Sequence, residues 1–286
     1  QNFQLLQSIT QSLAGRTAIF NLLPLSYLEL SESKHTFDSY EDIVFKGGYP
    51  RLYDKNIEPI DFYPNYISTY IERDVRQIKN IDNLSAFALF VQLCAGRIGQ
   101  LINFQSLASD AGISPNTAKA WLSVLEASYI IYLHKPHYKN FNKRLVKSPK
   151  LYFYDTGVAC SLLQIHSKEQ LNTHYLKGNL FENYIINEWK KGYFNQGMKP
   201  PLYFWQSNAN KEIDLLIESG TDLFPFEIKS SKTRNSHLLD NLHYWKKLNN
   251  TPSQYLNVIY GGDESMKSSD GNYISWRNIP LPSFWE

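Results

Sequence analysis

Glu212-Ile213-Asp214-Leu215-Leu216-Ile217-Glu218, then Gly220, then Leu223-Phe224-Pro225-Phe226-Glu227-Ile228-Lys229 is the stretch on which the fold of this chain turns. Apolar residues alternate along both halves, the period of strands whose successive side chains point to opposite faces. Ile213, Leu215 and Ile217 are expected on one side of the first strand, with Asp214 and Leu216 on the other. On the second strand Phe224, Phe226 and Ile228 share a face, so Glu227 and Lys229 project together from the opposite one. Gly220 turns the chain between them. Upstream, residues 178–191 read as a helix carrying Glu182 among Phe181, Tyr184, Ile185 and Trp189, and 203–206 as a short strand. Downstream, a helix over 236–248 and a final strand over 255–261 complete an αβββαβ order.

The pattern carries chemistry as well as shape. Asp214 is followed, after twelve residues, by Glu227-Ile228-Lys229 on the neighbouring strand. Carboxylates converging on a sheet face are costly without a counter-ion, and a divalent metal with hard oxygen ligands supplies one. Asp214 and Glu227 are therefore expected to hold Mg²⁺ or Mn²⁺, with Glu182 reaching over from the helix as a further ligand. Such an ion lowers the pKa of its water and polarises a phosphoryl group. Lys229 would orient the water or stabilise the charge growing on the phosphate. An edge strand with solvated charges produces the same alternation. The combination of helix Glu, strand Asp and Glu-x-Lys in an αβββ order points instead to a nuclease-like fold, with Asp214, Glu227, Lys229 and Glu182 as candidate catalytic residues.

The segment before this unit reads differently. Asn103 caps a short helix over 104–111 that Gly112 ends, and Ser114 caps the next with Pro115 at its first position. Ala118, Trp121, Leu122 and Leu125 make the inward stripe of that second helix, and Asn116, Lys119, Ala120 and Ser123 face out. Helix, glycine turn, capped helix is a helix-turn-helix pattern. Strand-like runs at 129–133 and 151–154 flank the stretch 135–150, so the unit is expected to be a winged helix with that stretch as its wing. Lys135, Lys139, Lys143, Arg144, Lys147 and Lys150 stand there without a carboxylate. Asn116, Thr117 and Lys119 would lie nearest the bases of a DNA major groove, and Lys139, Lys143, Arg144 and Lys147 on its phosphates. A solvated basic loop, or an interdomain spacer built on the same helices, is the competing reading.

Charge follows this division. The whole chain of 286 residues has a formal charge of +2, yet residues 97–150 hold 8 basic and 2 acidic side chains. At 43% hydrophobic and 20% charged the chain can bury real cores, which excludes a disordered protein. No run approaches the ~18 apolar residues of a membrane-crossing helix. Cys94 and Cys160 provide neither metal-ligand spacing nor a disulfide framework, so a cytoplasmic protein is expected. Further helices are expected over 62–79 and, buried and uncharged, over 83–95, with a strand-like run over 17–23. Gln1-Asn2-Phe3 opens in mid-pattern, which predicts a piece of a longer protein with a domain ahead of it.

Several ordered motifs also carry a resemblance. Gly47-Gly48-Tyr49-Pro50, Tyr66-x3-Tyr70-Ile71-Glu72-Arg73-Asp74, Tyr152-Phe153-Tyr154-Asp155-Thr156-Gly157, Gly178-Asn179-Leu180-Phe181-Glu182-Asn183 and the Glu212–Ser230 ending are among them. The chain resembles prokaryotic AAA-type ATPases whose C-terminal half is a domain of unknown function with a restriction-endonuclease-like, PD-(D/E)XK fold. The resemblance implies four parts: an ATPase remnant over 1–30, a helical linker over 31–96, a winged helix over 97–160 and the nuclease-like domain over 161–286. No phosphate-binding Gly-x4-Gly-Lys-[Ser/Thr] loop occurs. ATP is then expected only through the absent ATPase domain, with Arg16 a residual nucleotide-sensing candidate or a surface salt-bridge residue, and Asp74, Arg73 and Asp155 packing residues. The expected fold class is α+β or α/β multidomain, a helical and winged-helix middle before the nuclease-like unit. The expected function is metal-dependent phosphodiester hydrolysis on DNA delivered by the winged helix. The alternatives are a non-catalytic DNA- or partner-binding module coupled to the ATPase, and an oligomerisation arm, which explains the aromatic residues but not Asp…Glu-x-Lys.

Overall fold

A computed structural model describes residues 20–75, 81, 83–137, 147–207 and 211–280 of the chain, and they form a mixed α/β protein. The first part is helical: α1 (Tyr27–Glu32), α2 (Tyr40–Lys46), α3 (Pro50–Asp54) and α4 (Pro59–Tyr66), the last running into a π-helical stretch, Ile67–Val75. Residues 20–23 are not a strand, and 17–19 lie outside the described residues. The helix starts follow from local chemistry. Ser26 and Glu29 close a reciprocal capping box, and Pro50 and Pro59 occupy first turns where no backbone N–H is needed.

The helix-turn-helix reading corresponds to α6 (Phe104–Asp110) and α7 (Pro115–Ala127), preceded by α5 (Leu84–Ala95). Asn103 and Ser114 accept backbone amides as caps, and Gly112 adopts φ +65° just past the first helix. Ala118, Trp121, Leu122 and Leu125 are buried as expected, and Trp121 packs edge-on to Phe87 and Phe90 of α5. Helix α5 was expected to be buried throughout, but it is so along one side only, with Leu84 and Leu89 exposed.

The strands β1 (Ile131–His134) and β2 (Lys150–Phe153) pair antiparallel, and every residue of β2 is buried. Lys150 therefore does not belong to the basic stretch 135–150 as a solvated residue, contrary to the sequence reading. Beyond β1 the chain docks on the main sheet, where His137 donates its amide to the Phe204 carbonyl at 2.8 Å.

After α8 (Thr156–Leu162) and α9 (Lys168–Thr173) comes the long helix α10 (Lys177–Asn195). The strands β3 (Leu202–Gln206), β4 (Glu212–Ser219) and β5 (Asp222–Lys229) then form an antiparallel meander. Helix α11 (Asp240–Asn249) leads to β6 (Asn257–Tyr260), which adds parallel to β5. The sheet does not stop there as expected. β7 (Met266–Lys267) and β8 (Asn272–Ser275) follow, giving the order β3-β4-β5-β6-β8-β7.

The sheet separates two cores. The larger holds Phe181, Ile185 and Trp189 of α10 with Leu215, Ile217, Phe224, Phe226 and Ile228. The smaller holds Trp205, Ile213, Leu216, Val258 and Trp245 of α11. Ile213 thus parts company with Leu215 and Ile217, contrary to strict alternation. The cause is a register change between Tyr203 and Trp205 where β3 pairs with β4, an irregularity of the kind that re-aims neighbouring side chains.

Asp155 ties these parts together. Its buried carboxylate accepts the Gly48 amide at 2.7 Å, the Tyr63 hydroxyl at 2.8 Å and the Val158 amide at 3.1 Å, the last as cap of α8. Gly47 turns beside it at φ +69°, where any side chain would strike Tyr63 and Asp155. The Gly-Gly-Tyr-Pro and Tyr-Asp-Thr-Gly motifs thus belong to one packing device. The side chains of Arg73 and Asp74 lie outside the described part of the molecule.

Candidate functional site

The site lies where α10, β4, β5 and the first residue of β2 meet. Helix α10 is fixed over β2 by two asparagines. Asn183 accepts the Phe153 amide and donates to the Phe153 carbonyl, both at 2.8 Å, and Asn187 donates to Phe153 O at 2.9 Å. That registry places Glu182, one residue before Asn183, above Lys150 and Tyr152. Lys150 Nζ stands 2.9 Å from Glu182 Oε1 and also contacts Glu212 Oε1, while the Tyr152 hydroxyl donates to the same Glu182 oxygen.

Asp214 takes the other side. The last paired position of β4 and β5 toward this end is Leu215 with Phe226, and beyond it Asp214 Oδ2 accepts the Ile228 amide at 2.8 Å. The side chain thus satisfies a strand N–H that the ladder does not reach. Lys229 Nζ lies 2.8 Å from Asp214 Oδ2 and 2.6 Å from Glu227 Oε2, so Glu227 and Lys229 do project together. Glu227 is 1% exposed, whereas the Lys229 side chain is 35% exposed and forms the solvent-facing edge of the cluster.

Glu182, Glu212 and Asp214 each offer a carboxylate oxygen, all within 4.8 Å of one another, a group that could hold a metal ion. The expected ligand set was Asp214, Glu227 and Glu182. Glu182 and Asp214 converge, Glu212 joins them, and Glu227 stands beside Lys229 outside this triad. Glu212 was legible, since it lies two residues from Asp214 on one strand. Lys150 was not, because nothing local distinguishes it from its basic neighbours.

Burial and charge set the protonation. Burial raises the Glu227 carboxyl well above its ordinary pKa, reinforced by the charge of Asp214 and only partly opposed by Lys229. For Asp214 burial acts in the same direction, but Lys229, Lys150 and the Ile228 amide outweigh it and the pKa falls. Burial raises Glu182 against the pull of Lys150. Burial lowers Lys150 and Lys229, but their carboxylate neighbours prevail and both are raised. Four carboxyl groups thus face two ammonium groups, with the pKa of Asp214 drawn down and that of Glu227 pushed up. Glu227 Oε1 is buried without a hydrogen-bond donor, and Oε2 meets the Lys229 ammonium. An excess of oxygen donors, a charge deficit and an unsatisfied buried carboxyl all fit a hard divalent cation.

The residues expected at nucleic acid fall elsewhere. Asn116 and Lys119 are exposed on α7, with Lys119 Nζ 5.6 Å from the Phe104 ring, and Thr117 is half-buried with its hydroxyl 2.8 Å from that of Ser114. Lys147 is exposed at the mouth of the β1–β2 connection. Lys139, Lys143 and Arg144 lie outside the described residues, as does Arg16. Among the described residues no helix is long and apolar enough to cross a membrane, and both cysteines are buried and free.

Residues 37–169 match the model of a domain of unknown function, DUF8612, and residues 177–284 that of another, DUF4143. The first match ends within α9 and the second begins with α10, so all but one of the clustered carboxylates and ammonium groups lie in the second while Lys150 lies in the first. The chain is also similar to uncharacterised proteins of Mycobacterium tuberculosis and Mycobacterium bovis, each 26% identical over 227 residues, 78% of this chain. It spans about half the length of these curated relatives, 49% of each.

Proposed function

We propose that this chain is the C-terminal part of an AAA-type ATPase and that residues 161–286 form a restriction-endonuclease-like domain hydrolysing phosphodiesters with Mg²⁺ or Mn²⁺. The observation that carries this reading is the convergence of Glu182, Glu212 and Asp214 beside Glu227 and Lys229. The αβββαβ order and the half-length match to longer relatives support it. Glu182, Glu212 and Asp214 would hold the ion, and Glu227 would join them on losing its proton. Once bound, the ion supplies an activated water and polarises the phosphoryl group.

The chain's own contribution is positional. Asp214 and Glu227 aim the Lys229 ammonium from the floor of the site toward its open edge, where it meets a phosphate oxygen or the attacking water. Burial of Glu227 and Glu182 excludes bulk water from the other side. DNA is the proposed substrate, presented by α6 and α7 through Asn116, Thr117 and Lys119, with Lys139, Lys143, Arg144 and Lys147 on phosphates. The ATPase domain is the proposed partner and the route by which ATP acts.

The test is cleavage of labelled single- and double-stranded DNA with Mg²⁺ or Mn²⁺, with Lys229→Ala purified identically beside the wild type. Metal-dependent cutting is expected and is lost in the variant. Equal cutting by both proteins, or none by either, refutes hydrolysis by this chain. In that case DNA binding that weakens with salt and with Lys119→Ala identifies a non-catalytic DNA-binding module.

A further inference from the structure

The four carboxyl groups of the site come from α10, β4 and β5, but one of its two cations comes from a distant part of the chain. Lys150 opens β2, the second strand of the hairpin that follows the helix-turn-helix unit. Its ammonium contacts Glu182 Oε1 and Glu212 Oε1, which belong to two of the three carboxylates grouped closely enough to hold a metal. Its side chain is 6% exposed, so the charge is largely withdrawn from water where it stands. We propose that Lys150 is the resident counter-ion of this site, so that entry of a divalent cation and displacement of the Lys150 ammonium are a single event.

The physical argument is one of exclusive occupancy. Closely placed carboxylates need a positive partner, and an ammonium and a metal ion compete for an oxygen that both approach. Glu182 and Glu212 each give their Oε1 to Lys150, so a cation that takes those two oxygens has to displace it. On withdrawing, Lys150 can turn to the Phe204 ring, whose centroid lies 5.4 Å from Nζ.

The position of the ammonium is in turn set by the hairpin. Lys150 pairs with His134 of β1, and Pro149 O accepts the Ile102 amide at 2.8 Å immediately ahead of α6. A partner that shifts the helix-turn-helix unit therefore shifts Lys150, and metal affinity becomes a readout of that contact. The inference rests on the metal-binding reading of the same carboxylates and adds to it a lock built into the chain.

The experiment is titration of the full chain with Mn²⁺ alone, following free Mn²⁺ by electron paramagnetic resonance and the melting temperature in parallel. Lys150→Met, Lys150→Arg, Asp214→Asn and the wild type are compared. Lys150→Met is expected to bind Mn²⁺ at least about tenfold tighter than the wild type, because a vacated carboxylate pair becomes available. Lys150→Arg, which keeps the charge, is expected to bind as weakly as the wild type. Lys150→Met should also melt lower without Mn²⁺ and gain more from it. Equal affinity in the wild type and Lys150→Met overturns the lock and leaves the metal site standing, provided Asp214→Asn abolishes binding. Absence of Mn²⁺ binding from every protein overturns both. If Lys150→Met folds only with Mn²⁺ present, the metal has replaced the ammonium, as proposed. If it fails to fold even then, the two cations are not interchangeable and the lock is refuted.

Discussion

Asp155 offers the sharpest test of how the helical part is joined to the site-bearing part. Its carboxylate accepts three donors, the Gly48 and Val158 amides and the Tyr63 hydroxyl, and all three bonds are buried. In Asp155→Ala the Gly48 and Val158 amides are left unsatisfied, at about 1–3 kcal/mol per group, while the Tyr63 hydroxyl keeps the Lys46 carbonyl at 2.9 Å. The cost of desolvating the carboxylate is removed at the same time, and that cost is real, since burial raises its pKa against these same hydrogen bonds. The net loss is therefore expected near the lower end of the sum, about 2–3 kcal/mol, against a typical margin of ~5–15 kcal/mol. Asp155→Asn keeps an oxygen for Tyr63 and Val158 but turns an amide toward Gly48, so about half that loss is expected. Urea unfolding followed by far-ultraviolet circular dichroism measures both. Asp155→Ala within about 1 kcal/mol of the wild type, or Asp155→Asn costing more than alanine, would refute the argument that accepted hydrogen bonds hold this junction.

Two further outcomes are expected. Because Glu227 in the folded metal-free protein holds its proton above the ordinary glutamate range, the folded state binds more protons than the unfolded chain over that interval. Its contribution is present at low pH and lost as pH rises through the folded pKa, so Glu227→Gln should flatten the fall of melting temperature with pH in a chelating buffer; an unchanged slope in the variant removes Glu227 as its source. Trp121→Ala takes away a buried ring packed 5.2 Å from Phe87 and 5.3 Å from Phe90. It should cost about 3–5 kcal/mol and raise amide exchange across α6 and α7. Protection equal to the wild type there would show that these helices do not depend on α5.

Asn183 and Asn187 hold α10 to the backbone of β2, while Lys150 and Tyr152 reach from β2 into the carboxylates. The segment matching one family model thus supplies two side chains to a site otherwise built within the other. A site shared in this way responds to relative movement of the two segments that build it.

The elements legible in the sequence are those set by neighbours a few residues apart. Ser114 and Pro115 start α7, Gly112 ends the turn before it, and the alternation of 223–229 projects Glu227 with Lys229, because caps, glycine turns and strand pleat act over one helical turn or two strand positions. Even the carboxylates Glu182, Asp214 and Glu227 stand out by spacing alone. Strict alternation failed at Ile213, where the irregular pairing with β3 sends it to the other core, and the short β7 and β8 left no periodic trace. Tertiary structure alone decided the charge balance of the site. Lys150 meets Glu182 across 32 positions of chain and Glu212 across a longer span, and no local rule separates it from the lysines of its own segment. The physical reason is that periodicity reports which face a side chain takes, whereas the partner on that face is chosen by packing between distant elements.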